Sequence, residues 1–186
     1  MKNRLSLILP IILIGIAWTI EIIDQLFFGG SFNLPVQPGG SFWGIFTAPF
    51  SHADWGHLIG NTFSFIPLSY LALLNGLSHY IAVWACVMFL NLFILLFWHI
   101  GAHGMSGIIY GLVGYLLVIG LIERRLISLA LTSFAFATYS YYVPTLLPWV
   151  SPPGISWIGH FLGFLGGVIA AFGMYRETHK SDQQSY

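Results

Sequence analysis

Polar and charged positions are sparse in this chain, and long apolar runs lie between them. Six such runs stand out, at about 5–28, 56–77, 80–98, 106–122, 126–147 and 157–175. A membrane helix needs about 20 largely apolar residues, so each run predicts one. Together they predict an all-α membrane protein, a single domain over 1–186 that ends in a polar, frayed tail at 176–186. The fourth run is short. At 1.5 Å per residue it reaches only about 25 Å, less than the hydrocarbon core. A polar, glycine-containing break at 99–105 precedes it. Irregular backbone at membrane depth is tolerated only inside protein or beside a wet cavity. The fourth helix is therefore expected to start inside the membrane, with Ser106 at such a cavity.

Composition supports this picture and narrows it. The chain is 57% hydrophobic and 6% charged, against about 25% charged in soluble domains. Formal net charge is zero, which argues against a nucleic-acid partner. The one cysteine, Cys86, lies in an apolar run and reads as a small buried hydrophobe. The N-terminal run follows Lys2 and Arg4. It is too long for the apolar part of a cleaved signal and lacks a small-residue cleavage site, so it reads as a retained anchor. All six basic residues, Lys2, Arg4, Arg124, Arg125, Arg176 and Lys180, fall on one side of the predicted helices. By the positive-inside rule both termini are then cytoplasmic and Ser106 opens outward. The first outer loop, 29–55, is rich in aromatic residues and proline and is expected to lie partly in the interface. Pro152, Pro153 and Gly154 mark the last outer turn.

The candidate chemistry gathers at the outer ends of three helices. Ser106 sits in Gly104-Met105-Ser106-Gly107, at the start of the fourth helix. There it serves either as an ordinary cap or as a nucleophile beside free backbone N–H groups. Gly107, Gly111 and Gly114 form a stripe on that helix, and Gly159, Gly163, Gly166 and Gly167 form one on the sixth. Small residues so spaced let membrane helices approach closely. Such packing brings His160 to Ser106 as a general base. Residues 126–176 hold no Asp or Glu, so the pair reads as a dyad. Tyr110, one turn below Ser106, is placed to pack on His160 in the orienting role a carboxylate has in a triad. His57 and Asn61 share one face of the second helix. They are either oxyanion donors or an interhelical packing contact. His52 is a loop residue, His99 and His103 shape the break, and His79 and His179 lie with the inner segments. No metal-ligand spacing appears.

These residues together resemble the rhomboid family of intramembrane serine proteases, bacterial six-helix type. The resemblance spans nearly the whole chain. It rests on Gly104-Met105-Ser106-Gly107 with Tyr110 and Gly111, on His52, His57-Leu58 and Asn61, and on Gly159-His160-Phe161-Leu162-Gly163 with Gly167. The phrase Gly154-Ile155-Ser156-Trp157 before it is similar to a bacterial branch. The resemblance implies a six-helix rhomboid-like bundle in the bacterial plasma membrane that cleaves transmembrane segments of other proteins near their outer end. It implies Ser106 as nucleophile, His160 as base and an oxyanion site of His57, Asn61 and the Ser106 N–H, with Tyr110, His52, Gly104 and Gly107 in support. No cofactor or metal is implied, the partners are substrate helices and lipid, and the oligomeric state stays open. Trp43 is followed by Gly44 where many members have arginine, Leu73-Leu74-Asn75 lacks their glutamate, and Gly159 stands for alanine. Two other functions fit the pattern less well: a silent rhomboid-like binder of membrane helices, and a transporter using its histidines.

Overall fold

The computed structural model describes residues 4–151 and 155–184, with side chains for 6–151 and 155–177. Lys2 and the turn at Pro152, Pro153 and Gly154 lie outside the described residues. Helix α1, Arg4–Ile23, runs on as a π turn, Asp24–Phe28, until Gly29 takes φ +61 and ends it. The first loop contains a single helical turn, α2, Gly44–Thr47, then a 3₁₀ turn, Ala48–Phe50. Phe42 and Trp43 are exposed beside α2. Asp54 caps α3, Trp55–Leu73, accepting the His57 N–H at 2.8 Å. Gly76, at φ +121, separates α3 from α4, Leu77–Phe97. Helix α5, Ser106–Glu123, ends at left-handed Arg124. Helices α6, Leu126–Tyr139, and α7, Trp157–Gln184, follow. Among the described residues there is no strand, only an isolated antiparallel bridge between Val36 and Ala102.

Several expected bounds are corrected. The helix expected over 126–147 stops at Tyr139 and continues as two 3₁₀ turns, Ser140–Tyr142 and Pro144–Leu146. Pro144 is the reason, since it has no N–H to give an α-helical bond and its ring crowds the carbonyl four residues back. The second helix ends at Leu73 rather than 77, and the third begins at Leu77 rather than 80, because Gly76 supplies the turn. The expected frayed tail is helical as far as Gln184. Among the described residues four helices, Ser6–Phe28, Leu77–Phe97, Ser106–Glu123 and Trp157–Glu177, are long and apolar enough to cross a membrane. Length and composition alone therefore do not confirm the expected six. Helix α3 is diluted by His57, Asn61, Ser64 and Ser69, and α6 has only 14 residues.

Helix α5 is the axis of the bundle: 61% of its apolar window is buried, against 22% for α1. Its tightest partner is α7. A Cβ on Gly167 would lie 1.8 Å from the Gly111 carbonyl oxygen, and one on Gly163 would lie 2.2 Å from that of Gly107. In return, a Cβ on Gly114 would lie 2.3 Å from the Phe164 carbonyl oxygen. The two backbones touch, so no larger residue fits at these positions.

The break before α5 is held by the first loop. Val36 N–H donates to the Ala102 carbonyl at 3.0 Å, and Ala102 N–H returns a bond to Val36 at 2.9 Å. Gly104 N–H donates to the Ala48 carbonyl at 2.8 Å. Met105 N–H donates to His52 Nε2 at 3.3 Å. His52, though a loop residue, is fully buried. Burial, then the neighbouring His57 and His103, push its pKa down to about 3.

Two outcomes follow from this packing. Gly167→Ala should lower thermal stability in a fixed detergent, since overpacking costs about 1–3 kcal/mol. Gly173→Ala, with nothing within 4 Å of its Cβ position, should be neutral or stabilising. Equal melting of the two variants would show that α5 and α7 do not need contact. The second outcome concerns acid. Below about 6.5 an unfolded His52 binds a proton that the folded one refuses until about 3. The unfolded state binds more protons in that window, so stability should fall as pH drops through it. A denaturation series over pH should show a shallower slope in His52→Gln, and an unchanged slope would remove His52 from the account.

Candidate active site

Ser106 is the first residue of α5, and the preceding Met105 makes no side-chain cap bond. The serine hydroxyl is not spent on capping its own helix. Instead Ser106 Oγ lies 3.1 Å from His160 Nε2. His160 is in the first turn of α7, three residues before Gly163, so the glycine contact that closes α5 on α7 also sets this distance. His160 is buried at 7% exposure. Its Nδ1 has no partner among the described residues. The Tyr110 ring lies flat on it, with centroids 4.0 Å apart and planes 15° apart.

His57 and Asn61 approach the same site from α3. Gly104 stands between them at φ +104, a conformation that L side chains rarely adopt. A Cβ there would be 2.8 Å from His57 Cε1, 3.0 Å from His57 Nε2 and 3.5 Å from Asn61 Nδ2. Both side chains therefore converge on the space above Gly104, which glycine alone leaves open. Asn61 Nδ2 is buried and has no partner among the described residues. Gly107 contributes its carbonyl as the surface on which Gly163 rests. His52 stays behind the site, on the Met105 N–H.

A cavity of about 570 Å³ opens beside the pair, lined by Ser106, His160, His57 and the 101–104 segment among others. Its size is that of a small-ligand cleft. Asp54 is on its wall, with its carboxylate turned to the α3 cap. His103 belongs to the wall too, 6.4 Å from the His57 ring between centroids, so it does more than shape the break. Burial, then His57, lowers its pKa. Among the described residues, no group of three or more His, Cys, Asp or Glu is placed to hold a metal. His79 is remote from this cavity and pairs with the Tyr115 hydroxyl at 2.7 Å.

Sequence reading missed three contributors. Asn91 reaches the cavity from α4, and a lone amide in an apolar run was a readable signal. Ser156 also lines it, with a buried Oγ that has no partner among the described residues. Thr145, bonded to the Tyr110 hydroxyl, carried no pattern that spacing reveals.

With this geometry in view, known proteins bear on it directly. Residues 39–177 match the family described as the Rhomboid domain. An uncharacterized protein of Mycobacterium bovis is 32% identical over 174 residues, covering 86% of this chain and 71% of the relative. One from Mycobacterium tuberculosis shows the same values, and one from Mycobacterium leprae is 34% identical over 169 residues, covering 85% and 67%. No solved structure matches the chain. Members of the matched family are generally intramembrane serine proteases, though some are inactive. The match covers α2 to α6, α7 as far as Glu177 and every residue of the cavity wall from Ala48 to His160, and on it the chain belongs to the rhomboid family of integral membrane proteins.

Proposed function

We propose that this protein is an intramembrane serine endopeptidase that uses Ser106 and His160 as a dyad. The observation that carries the reading is the 3.1 Å contact of Ser106 Oγ with His160 Nε2 at the edge of a cavity. With the proton on Nδ1, His160 Nε2 accepts the Ser106 proton as Oγ attacks a peptide carbonyl. The carbonyl oxygen gains negative charge in the space above Gly104. His57, the Asn61 amide and the Ser106 N–H are its donors, and the unpartnered Asn61 Nδ2 is free to give that bond. His160 then returns the proton to the leaving amine, and water hydrolyses the acyl-enzyme. The chemistry asks for no metal or organic cofactor.

The substrate is a transmembrane segment of another protein, cut near its outer end. It must unwind locally, since an intact helix ties up its carbonyls in i→i−4 bonds. In this reading α3 and α6 complete six membrane helices in one domain, both termini face the cytoplasm, and the membrane is the bacterial plasma membrane. Ser106 begins below the outer surface, because the 18 residues of α5 reach only about 27 Å.

An activated fluorophosphonate should label Ser106 and no other serine, with labelling lost in Ser106→Ala and His160→Ala. Peptide mass spectrometry reads the site. An adduct elsewhere, or turnover surviving in Ser106→Ala, would return the chain to a non-catalytic binder of membrane helices.

Asn61→Ala separates chemistry from packing. Losing an oxyanion donor costs about 2.7–4 kcal/mol in a soluble protease, and less is expected here because donors are shared. Since Asn61 Nδ2 makes no bond in the resting site, removing it should leave melting unchanged or raised while turnover falls. Turnover intact in both Asn61→Ala and His57→Ala would leave those residues a packing role.

A further inference from the structure

A base without a carboxylate behind it needs another constraint on its ring. His160 Nδ1 has no partner among the described residues, and one face of the ring is covered by Tyr110. The ring can be held only as well as Tyr110 is held. The Tyr110 hydroxyl pairs with Thr145 Oγ1. Thr145 Oγ1 in turn donates to the Tyr142 carbonyl at 2.7 Å. A threonine hydroxyl has one proton, and that proton is committed to the carbonyl. Thr145 must therefore accept from Tyr110, which fixes the tyrosine hydroxyl as the donor. The Tyr142 ring meets Tyr110 edge-on, with centroids 5.0 Å apart at 86°. Its hydroxyl pairs with Ser64 Oγ at 2.6 Å. Ser64 lies on α3, three residues beyond Asn61, on the face that carries the proposed oxyanion donors.

All of this depends on the two 3₁₀ turns that replace the end of the expected helix. They put Tyr142 and Thr145 over Tyr110, and they link α3 to the stack on His160. We propose that Thr145 is a positioning residue that acts through Tyr110 to hold the His160 ring in line with Ser106. The inference rests on Ser106 and His160 being the dyad.

The test is a double-mutant cycle on the full chain in one detergent, with one transmembrane substrate. One hydrogen bond of this kind corresponds to about fivefold in rate. Thr145→Val should lower kcat by about that much with KM unchanged, and Thr145→Ser should restore most of it. Tyr110→Phe keeps the stacked ring but loses the bond, so it should show a similar fall. Adding Thr145→Val to Tyr110→Phe should then cost nothing more, because coupled residues are non-additive. Losses that multiply, a change confined to KM, or full activity in Thr145→Val would overturn the proposal. A melt accompanies each variant, and Thr145→Ala takes the place of valine if valine prevents folding. Turnover surviving in Ser106→Ala would sink the dyad itself. A dyad that holds while Thr145→Val matches wild type would sink this inference alone.

Discussion

Backbone contact between α5 and α7 is the constraint on which the rest depends. Lipid is as apolar as the helices, so association comes from close packing rather than from hydrophobic exclusion. Gly107 and Gly111 on one helix, and Gly163 and Gly167 on the other, bring the two backbones together. Ser106 directly precedes Gly107, and His160 is one turn before Gly163. The 3.1 Å hydroxyl–imidazole distance is thus a consequence of glycine packing rather than a separate feature. A methyl group at Gly167 would act on the site from more than one helical turn away.

The break before α5 shows the opposite economy. Its backbone leaves helical bonding in a bundle core, where an unmet polar group costs about 1–3 kcal/mol. The first loop meets those groups one by one, through Val36, Ala48 and His52. That makes the loop part of the floor of the cavity rather than a connector. Gly104, its N–H met by Ala48, takes a positive φ, and the nearby Asn61 Nδ2 has no partner among the described residues. An unmet donor facing a space that only glycine leaves open is what a site built for a transient charge would carry.

Much of this was legible from residue types at fixed spacing. The glycine stripes, the break ahead of Ser106 and the shared face of His57 and Asn61 are all patterns along one helix, and the structure places them together. The helix end at Tyr139 was readable in principle, because Pro144 was in plain view, but the continuous apolar run concealed it. The Val36–Ala102 bridge, Ser156 and Thr145 were not readable. Each depends on two segments meeting in space, and a single threonine after a proline has no periodicity to betray it. His52 was legible as a loop residue but its burial was not, because that comes from the break folding over it, which the loop sequence alone does not contain.

The lack of a carboxylate at His160 has a physical sense. Burying an ionised group costs several kcal/mol even after relaxation, more than the roughly 1.5–3 kcal/mol that a hydrogen bond to a charged group returns. A stacked ring held by two hydroxyls avoids that cost. The carboxylates of Asp54, Asp24 and Glu21 have other work in this bundle. Asp54 accepts the N–H of His57 and starts α3. Asp24 accepts the N–H of Phe32 at 2.7 Å and closes the turn after α1, and Glu21 accepts from Gln25 at 2.9 Å. Each bonds a residue close to it in sequence, and none is bonded to the imidazole. Orientation of His160 therefore falls to Tyr110 and to whatever holds Tyr110. The same 3₁₀ turns that end α6 early supply that hold, so an interruption that reads as a defect in a membrane helix becomes a part of the site.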